Sequence, residues 1–486
     1  MANSPIAPVP ETSARAGSFC WILAFAAILR FVALGHKQLW LDEVIQAIHT
    51  SPRLSLRQVL TGVTYDRGAA PLDYLIQHYF LRIIGQSTYN LRLQAAFFGA
   101  LTVIVLYVFV QGLLGRNVAL ISSALYAVYP LHHHYSQEAR PYALFTLLTV
   151  SSYLCFWNLL KSGRRRDWIA YAIVTTLMLY SHYYGVFVIF SQAVFSLALL
   201  SPGIRDTIAG IRKPDLRFLA ALAGVSGLAA ALFSLWPILA SRTIFGYQPE
   251  PVHFGYKLAL SFVQQLGDGS FPLALILIAL AVLGGKKLAA ENQTGRLWFL
   301  LCWFVLPIPF MFLLLWIKDY FFAIRQFLFL TPALIVLAAL GVSDLAELWA
   351  GADARQWRKK AALLTALVAI VSLVVIGLHV PDRREDLRGA GLFLRQTVAA
   401  SDAVIAPQLS GVLAYYFPQI DQHVRLAASL AGLPGVAPTS TIFIVKSAYV
   451  SAADRQLIDT AVVNAPAARK IEFRDIEIIE IGSARQ

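Results

Sequence analysis

Two adjacent carboxylates, Asp42 and Glu43 in the run Leu39-Trp40-Leu41-Asp42-Glu43, follow an apolar segment, Phe19 to Leu34, that is long enough to cross a bilayer. Charge beside hydrocarbon is costly, and ionisable groups kept there usually face a water-filled cavity and act in it. A second such stretch is Leu131-His132-His133-His134-Tyr135-Ser136-Gln137-Glu138-Ala139-Arg140-Pro141-Tyr142. His134 and Glu138 are four residues apart, so one helical turn sets them on a shared face, where they could hold a divalent cation. An oxygen-rich shell needs more carboxylates, and Asp42 or Glu43 would have to supply them. The ordinary alternative for three consecutive histidines is an interfacial polar patch. Ser181-His182-Tyr183-Tyr184-Gly185 joins two apolar segments so tightly that His182 must sit at the mouth of a bundle. Lys318-Asp319-Tyr320, followed by Arg325-Gln326, puts cations at the end of another. A carboxylate can take a proton from a hydroxyl, and nearby cations or a metal can stabilise a departing phosphate. With aromatics beside a membrane-level groove to hold a lipid tail, these groups fit glycosyl transfer from a lipid-phosphate sugar.

The elements that must position them are membrane helices. Apolar residues make up 58% of the chain and charged ones 14%, a balance that excludes an ordinary soluble domain. At about 20 residues per crossing, about eleven spans are expected, at 17–35, 93–113, 118–131, 141–160, 168–181, 184–200, 217–240, 271–285, 297–317, 326–346 and 361–380. Cys20, Cys155 and Cys302 all fall inside spans, and nothing in their placement suggests a disulfide framework. The net charge of +13 gathers in short connectors: Lys161 with Arg164-Arg165-Arg166, Arg205, Arg212-Lys213, Lys286-Lys287, and Arg355 with Arg358-Lys359-Lys360. These share one side when the spans alternate, and the positive-inside rule makes that side cytoplasmic. The charge anchors topology and implies no nucleic-acid partner. Residues 1–16 read as a disordered cytoplasmic tail, and 17–35 as an uncleaved first span with Arg30 snorkelling to the outer interface. The external loop 36–92 reads as two amphipathic helices lying in the interface, Asp42–Leu60 and Pro71–Gly85. Asp66, Arg67 and Asp73, taken singly, read as solvated loop residues.

The order of these features resembles the bacterial GT-C membrane glycosyltransferases, related to the dolichyl-phosphate-mannose–protein mannosyltransferases and the aminoarabinose lipid A transferases. The matching pieces are Leu39 to Glu43, Ala70-Pro71-Leu72-Asp73-Tyr74 with Gly85, and Asn90-Leu91-Arg92-Leu93. Tyr135 to Tyr142, Ser181 to Gly185, and Arg325 ahead of Pro332 complete the set, which covers 17–380. The resemblance implies an inverting transfer of one sugar from a polyprenyl-phosphate donor to an acceptor hydroxyl, with Asp42 as general base. Glu43 and Glu138 would be accessory acids, orienting the acceptor or holding a metal. Arg325, with His182, Lys318 and Arg67, would face the donor phosphate, while Tyr135, Arg140, Tyr142 and Tyr183 would hold sugar or acceptor. The chain departs from the pattern at Ala69-Ala70-Pro71, where relatives often carry His-Pro-Pro or Lys-Pro-Pro, so Arg67 is the cation left to substitute there.

The expected fold is thus an all-α polytopic GT-C membrane domain, 17–380, followed by a small α/β domain, 381–486. The tail carries strand-like runs at Ala403–Ala406, Thr441–Val445 and Ile471–Ile481, and helix-like ones at Arg384–Val398, Gly411–Tyr416 and Asp454–Val463. The expected setting is the bacterial inner membrane, with the site and the tail on the periplasmic side and an envelope lipid, glycan or protein as acceptor. A transporter should place ionisable groups near the midplane and show two matching halves, and neither is visible. A non-enzymatic assembly protein for lipid-linked glycans would not need Asp42. A polyprenyl-diphosphate oligosaccharide ligase would favour more cationic external loops.

Overall fold

The computed structural model describes residues 11–66, 69–239, 256–318, 324–351, 353–379, 385–399, 401–407, 409–417, 425–427, 441–447, 450, 452–463 and 468–482. The chain divides into two compact units, one of Met1–Leu34 with Pro52–Leu378, the other of Gly35–Ser51 with His379–Gln486.

The larger unit is helical throughout. It comprises α1 (Glu11–Phe31), α3 (Leu56–Tyr65), α4 (Pro71–Ile84), α5 (Thr88–Leu114), α6 (Arg116–Ala127), α7 (Pro130–Ser136), α8 (Tyr142–Ser162) and α9 (Arg165–Ser181). There follow α10 (Gly185–Ala198), α11 (Pro202–Arg205), α12 (Leu216–Leu239), α13 (Tyr256–Leu266), α14 (Phe271–Ala290), α15 (Thr294–Phe304) and α16 (Pro307–Lys318). A 3₁₀ turn (Ile324–Leu330), α17 (Thr331–Ala350) and α18 (Ala354–Leu378) complete it. Each of the eleven expected spans overlaps a helix; 297–317 covers α15 and α16, 326–346 covers the 3₁₀ turn and α17, and 118–131 runs from α6 into the start of α7. Among the described residues seven helices are long and apolar enough to cross a membrane, with shorter apolar ones at Gly17–Phe31 and Gly185–Ala198. The helix α1 begins at Glu11, inside the stretch expected to be unstructured; residues 1–10 lie outside the described ones.

The span around α17 is 89% buried, whereas that of α12 is 17% and that of α18 is 28% buried. An all-round apolar helix can therefore be central or lipid-facing, and neighbours decide which. The pairing of α14 with α17 rests on missing side chains. A Cβ on Gly284 would lie 2.0 Å from the Leu337 carbonyl oxygen, and one on Gly341 would lie 2.0 Å from that of Leu280. Where lipid removes the hydrophobic drive between helices, such close backbone approach supplies the packing. Aromatic rings fill the space beside it: Tyr153 stacks on Trp303 at 3.9 Å, and the Trp303 indole N–H donates to the Phe329 carbonyl (2.9 Å). The turn from α5 to α6 needs Gly115 at φ 89°, which a residue with a Cβ rarely adopts.

Arg30 does not snorkel. It is fully buried and donates to the carbonyl oxygens of Ala26 (3.0 Å) and Ala127 (2.9 Å) and to His132 Nδ1 (2.9 Å), because a bonded guanidinium can stay inside the bundle where a bare one could not. Arg92 is buried likewise and donates to the Leu34 carbonyl (3.0 Å).

The smaller unit contains α2 (Leu41–His49), α19 (Leu387–Thr397), α20 (Ser410–Tyr416), the helix Ala452–Val463 and five strands: β1 (Ala403–Ile405), β2 (Arg425–Ala427), β3 (Ile442–Ser447), β4 (Arg469–Phe473) and β5 (Ile476–Ile481). Their order is β2-β1-β3-β5-β4, with β1 parallel to β2 and β3, and β5 antiparallel to β3 and β4. The single run expected over Ile471–Ile481 is instead a hairpin, turned at Asp475 (φ 57°), a residue type that tolerates the left-handed region. The one long helix expected over Asp42–Leu60 is also two, α2 and α3, since Pro52 precedes a fresh start capped by Ser55, whose Oγ accepts from Gln58 N–H.

Replacing Gly284 by Ala should destabilise the detergent-solubilised protein by roughly 1–3 kcal/mol, read as a lower unfolding midpoint. Gly285→Ala, whose new Cβ would meet nothing closer than Leu297 Cδ1 at 3.5 Å, should be nearly neutral.

Candidate active site

Asp42 and Glu43 occupy the first turn of α2, where the helix N-terminus favours negative charge. Glu43 is fully buried, and its Oε2 accepts the Trp40 N–H (3.4 Å), so this carboxylate closes the helix start. Asp42 is partly exposed. The segment is held by the C-terminal part of its own unit. The Tyr416 hydroxyl accepts from Leu39 N–H (2.8 Å) and donates to the Leu39 carbonyl (2.9 Å). The Gln38 amide donates to the Glu385 carbonyl (2.5 Å) and accepts from Arg388 N–H (3.2 Å), and Lys37 donates to the His379 carbonyl.

In the membrane unit, α7 and the turn after it carry the densest polar group. Pro130 opens α7 at its first turn, and successive residues then point about 100° apart, so the three histidines face different neighbours. His132 is buried against Arg30; burial first, then the Arg30 and His133 charges, push its pKa well below the usual range. His134 faces two acids, with Nε2 3.3 Å from Glu138 Oε1 and Nδ1 3.2 Å from Asp268 Oδ1. Burial opposes its protonation, but the hydrogen bonds and charges of Asp268 and Glu138 outweigh that and push its pKa up to about 9. Asp268 lies in the tight turn between α13 and α14 at φ 53°.

Arg140 pairs with Asp66 (2.6 Å), which also accepts the Tyr74 hydroxyl. Asp73 is buried and accepts from Gln94 (2.8 Å). Neither acid is the solvated loop residue expected: Asp66, at the end of α3, is taken up by Arg140 and Tyr74, and α4 turns the side that carries Asp73 toward the protein while leaving Tyr79 and Ile83 exposed. Arg325, in the 3₁₀ turn, donates from Nε to the Tyr142 hydroxyl (2.9 Å). Its charge reaches the Tyr135 hydroxyl, which burial and then Glu138 hold well above the usual range. His182 stacks on Phe145 at 4.9 Å and on Tyr183 at 4.7 Å, and its Nδ1 accepts from Tyr184 N–H (3.2 Å). Burial, then the Arg140 charge, lower its pKa to about 3, so the ring is neutral among these aromatics.

The membrane unit thus brings together Glu138, His134, Tyr135, Arg140, Tyr142, His182, Tyr183 and Arg325. Arg67 lies outside the described residues, as does the side chain of Lys318, the last residue of α16. The sequence reading missed Asp268 and Asp66 as partners, although an Asp-Gly turn in the loop expected over 241–270 was a usable signal. His134 and Glu138 do share a face. Both imidazole nitrogens point at carboxylates, and a protonated ring has no lone pair for a metal. His134, Glu138 and Asp268 lie together, but among the described residues no group of three or more such side chains is placed to hold a metal ion, so these donors do not fit a resident divalent ion.

The helical membrane unit and the small α/β unit on the same chain have the GT-C fold. The family model described as dolichyl-phosphate-mannose-protein mannosyltransferase matches residues 68–236. The fold is similar to that of ArnT from Cupriavidus metallidurans, both in the apo state (TM-score 0.63, 12% identity, 96% of this chain and 98% of that one) and bound to undecaprenyl phosphate (0.59, 11%, 96% and 99%). It is also similar to the archaeal oligosaccharyltransferase AglB from Archaeoglobus fulgidus, in complex with an inhibitory peptide and a dolichol-phosphate (0.55, 11%, 89% and 69%). No curated protein matches the sequence.

Arg140→Ala strands Asp66 in a buried setting and should cost about 3–5 kcal/mol, read as a collapse of the unfolding midpoint. For His134, whose folded pKa lies above the unfolded 6.5, the ion-pair stabilisation is complete below about pH 6.5 and is lost as pH rises through about 9. The unfolding midpoint should therefore fall between pH 7 and 10, and His134→Gln should remove that part of the fall.

Proposed function

We propose that this protein is an inverting glycosyltransferase that moves a single sugar from a polyprenyl-phosphate donor to an acceptor hydroxyl on the extracytoplasmic face of the bacterial inner membrane. The observation that carries the reading is a fold shared over 96% of the chain with a protein crystallised with undecaprenyl phosphate. The chemistry of the residues agrees with it. The Asp42 carboxylate takes the proton of the acceptor hydroxyl, whose oxygen attacks the anomeric carbon from the face opposite the phosphate. The bond from that carbon to the phosphate oxygen breaks, and polyprenyl phosphate leaves with the electron pair. Arg325 carries the positive charge suited to that leaving group, oriented by its bond to Tyr142. Tyr135, Tyr142 and Tyr183 offer ring faces and hydroxyls to a sugar, and Glu138 orients the acceptor. An envelope lipid, glycan or protein supplies the hydroxyl.

A polyprenyl-diphosphate glycan as donor is the second reading, favoured by the likeness to AglB, of whose length the match covers only 69%. A deletion strain carrying the intact gene, Asp42→Asn or Arg325→Gln separates these readings, with envelope lipids and glycans compared by mass spectrometry. A deficit of one hexose- or pentose-sized unit in the deletion and both variants, restored by the intact protein, is expected, since loss of a general base costs about 10²–10⁴ in rate. A deficit of several sugars at once identifies the ligase. Full restoration by Asp42→Asn at normal expression removes Asp42 as the base.

A further inference from the structure

A second polar site lies at the other end of the helices that carry the candidate active site. Asp268 precedes α14 and Arg325 precedes α17; where these two helices finish, a pocket of about 480 Å³ opens among the ends of α5, α14 and α17 and the starts of α6, α15 and α18. This is the face on which the basic connectors gather. Arg296, Arg358, Lys287, Asn117, Trp357 and Leu340 are among its lining residues.

The acids in this pocket are already spoken for. Glu347 accepts from Lys287 and from the Ser343 hydroxyl (3.3 Å). Glu291 accepts from the Gln293 amide (2.8 Å) and pairs with Lys287 (3.4 Å). Asp353 accepts the N–H groups of Arg355 (2.8 Å) and Gln356 (3.2 Å) at the start of α18. Arg296 differs. Its Nη1 donates to the neutral Gln293 (2.5 Å), and its buried Nε finds no acceptor among the described residues. The Glu291 charge also reaches this guanidinium, but the Nε donor is left for an anion. Basic pockets between membrane helices on the positively charged side suit phosphate-bearing lipid headgroups, whose tails then lie along the apolar helix faces. Trp357, whose indole N–H donates to the Ser343 carbonyl (3.3 Å), supplies the amphipathic ring common at that depth.

We propose that this pocket seats the phosphate of an anionic phospholipid, with Arg296 and Arg358 as its cationic ligands and the lipid tails against the surrounding spans. The site is independent of the transferase reading and is separated from the candidate active site by the length of α14.

The test uses the full-length protein in detergent and native mass spectrometry, with phosphatidylglycerol, uncharged diacylglycerol and inorganic phosphate as probes. The variants are Arg296→Gln, Arg358→Gln and Arg166→Gln, the last removing a charge that is 74% exposed on another connector of the same face. Retained phosphatidylglycerol is expected in the wild type and in Arg166→Gln, with about a tenfold weaker occupancy in each pocket variant, the size of one charge-assisted hydrogen bond. Unfolding midpoints without lipid identify a variant that has merely failed to fold; Arg358→Gln, at the pocket rim, then carries the comparison. Competition by millimolar inorganic phosphate to the same occupancy would make the ligand a soluble phosphate and overturn the lipid assignment. Equal loss in Arg166→Gln, equal retention of diacylglycerol, or no change in the pocket variants would overturn the site itself.

Discussion

The buried charges Arg30, Arg92, His134, Glu138, Arg140 and Asp268 in the membrane unit each have a hydrogen-bond or ion-pair partner, and the architecture follows from that constraint. Arg30 would be prohibitively costly in a bundle, yet it sits there on backbone carbonyls and a neutral histidine. The same rule joins elements far apart in sequence: Arg140 reaches Asp66, and His134 spans Glu138 and Asp268, so the turn after α7 is pinned both to the first loop and to the head of α14. These buried pairs contribute little net stability over well-packed apolar groups, but breaking one is expensive. Their effect is to fix where the site residues stand.

The pinning organises the chemistry. With three acids and three cations interleaved among Asp66, Glu138, Asp268, His134, Arg140 and Arg325, this group of residues holds no large excess of either sign. The protonation states split accordingly. His134 stays charged between its two acids, while His182 stays neutral among aromatic rings.

Much of this was legible in the sequence, because hydrocarbon imposes a long and simple pattern. The positions of the spans, the polar stretch from His132 to Tyr142 and the turn at His182 all followed from apolar runs and their interruptions. Long-range pairing was not legible. Nothing local says that Arg140 belongs to Asp66, or that Arg30 turns inward, since both depend on which helix becomes a neighbour. Asp73 reads as solvated when amphipathicity is taken to mean polar side toward water, but in α4 the polar side faces protein; Asp66 reads so because its partner Arg140 is distant in sequence. In the tail, the three-residue strand β2 has too few residues for a period to show, and the hairpin at Asp475 hid inside one apolar run.

The ties of Tyr416 to Leu39 and of Arg388 to Gln38 also set a schedule for the chain's synthesis. Leu39 and Tyr416 are 377 residues apart, so at about 5–20 residues per second the partner is made roughly 20–75 s after the acid-bearing segment emerges. Until then the membrane helices insert and pack with Asp42 on a segment that lacks its support. A nascent chain, or one clipped before Tyr416, therefore carries the Leu39–Glu43 segment without the hydrogen bonds that hold it.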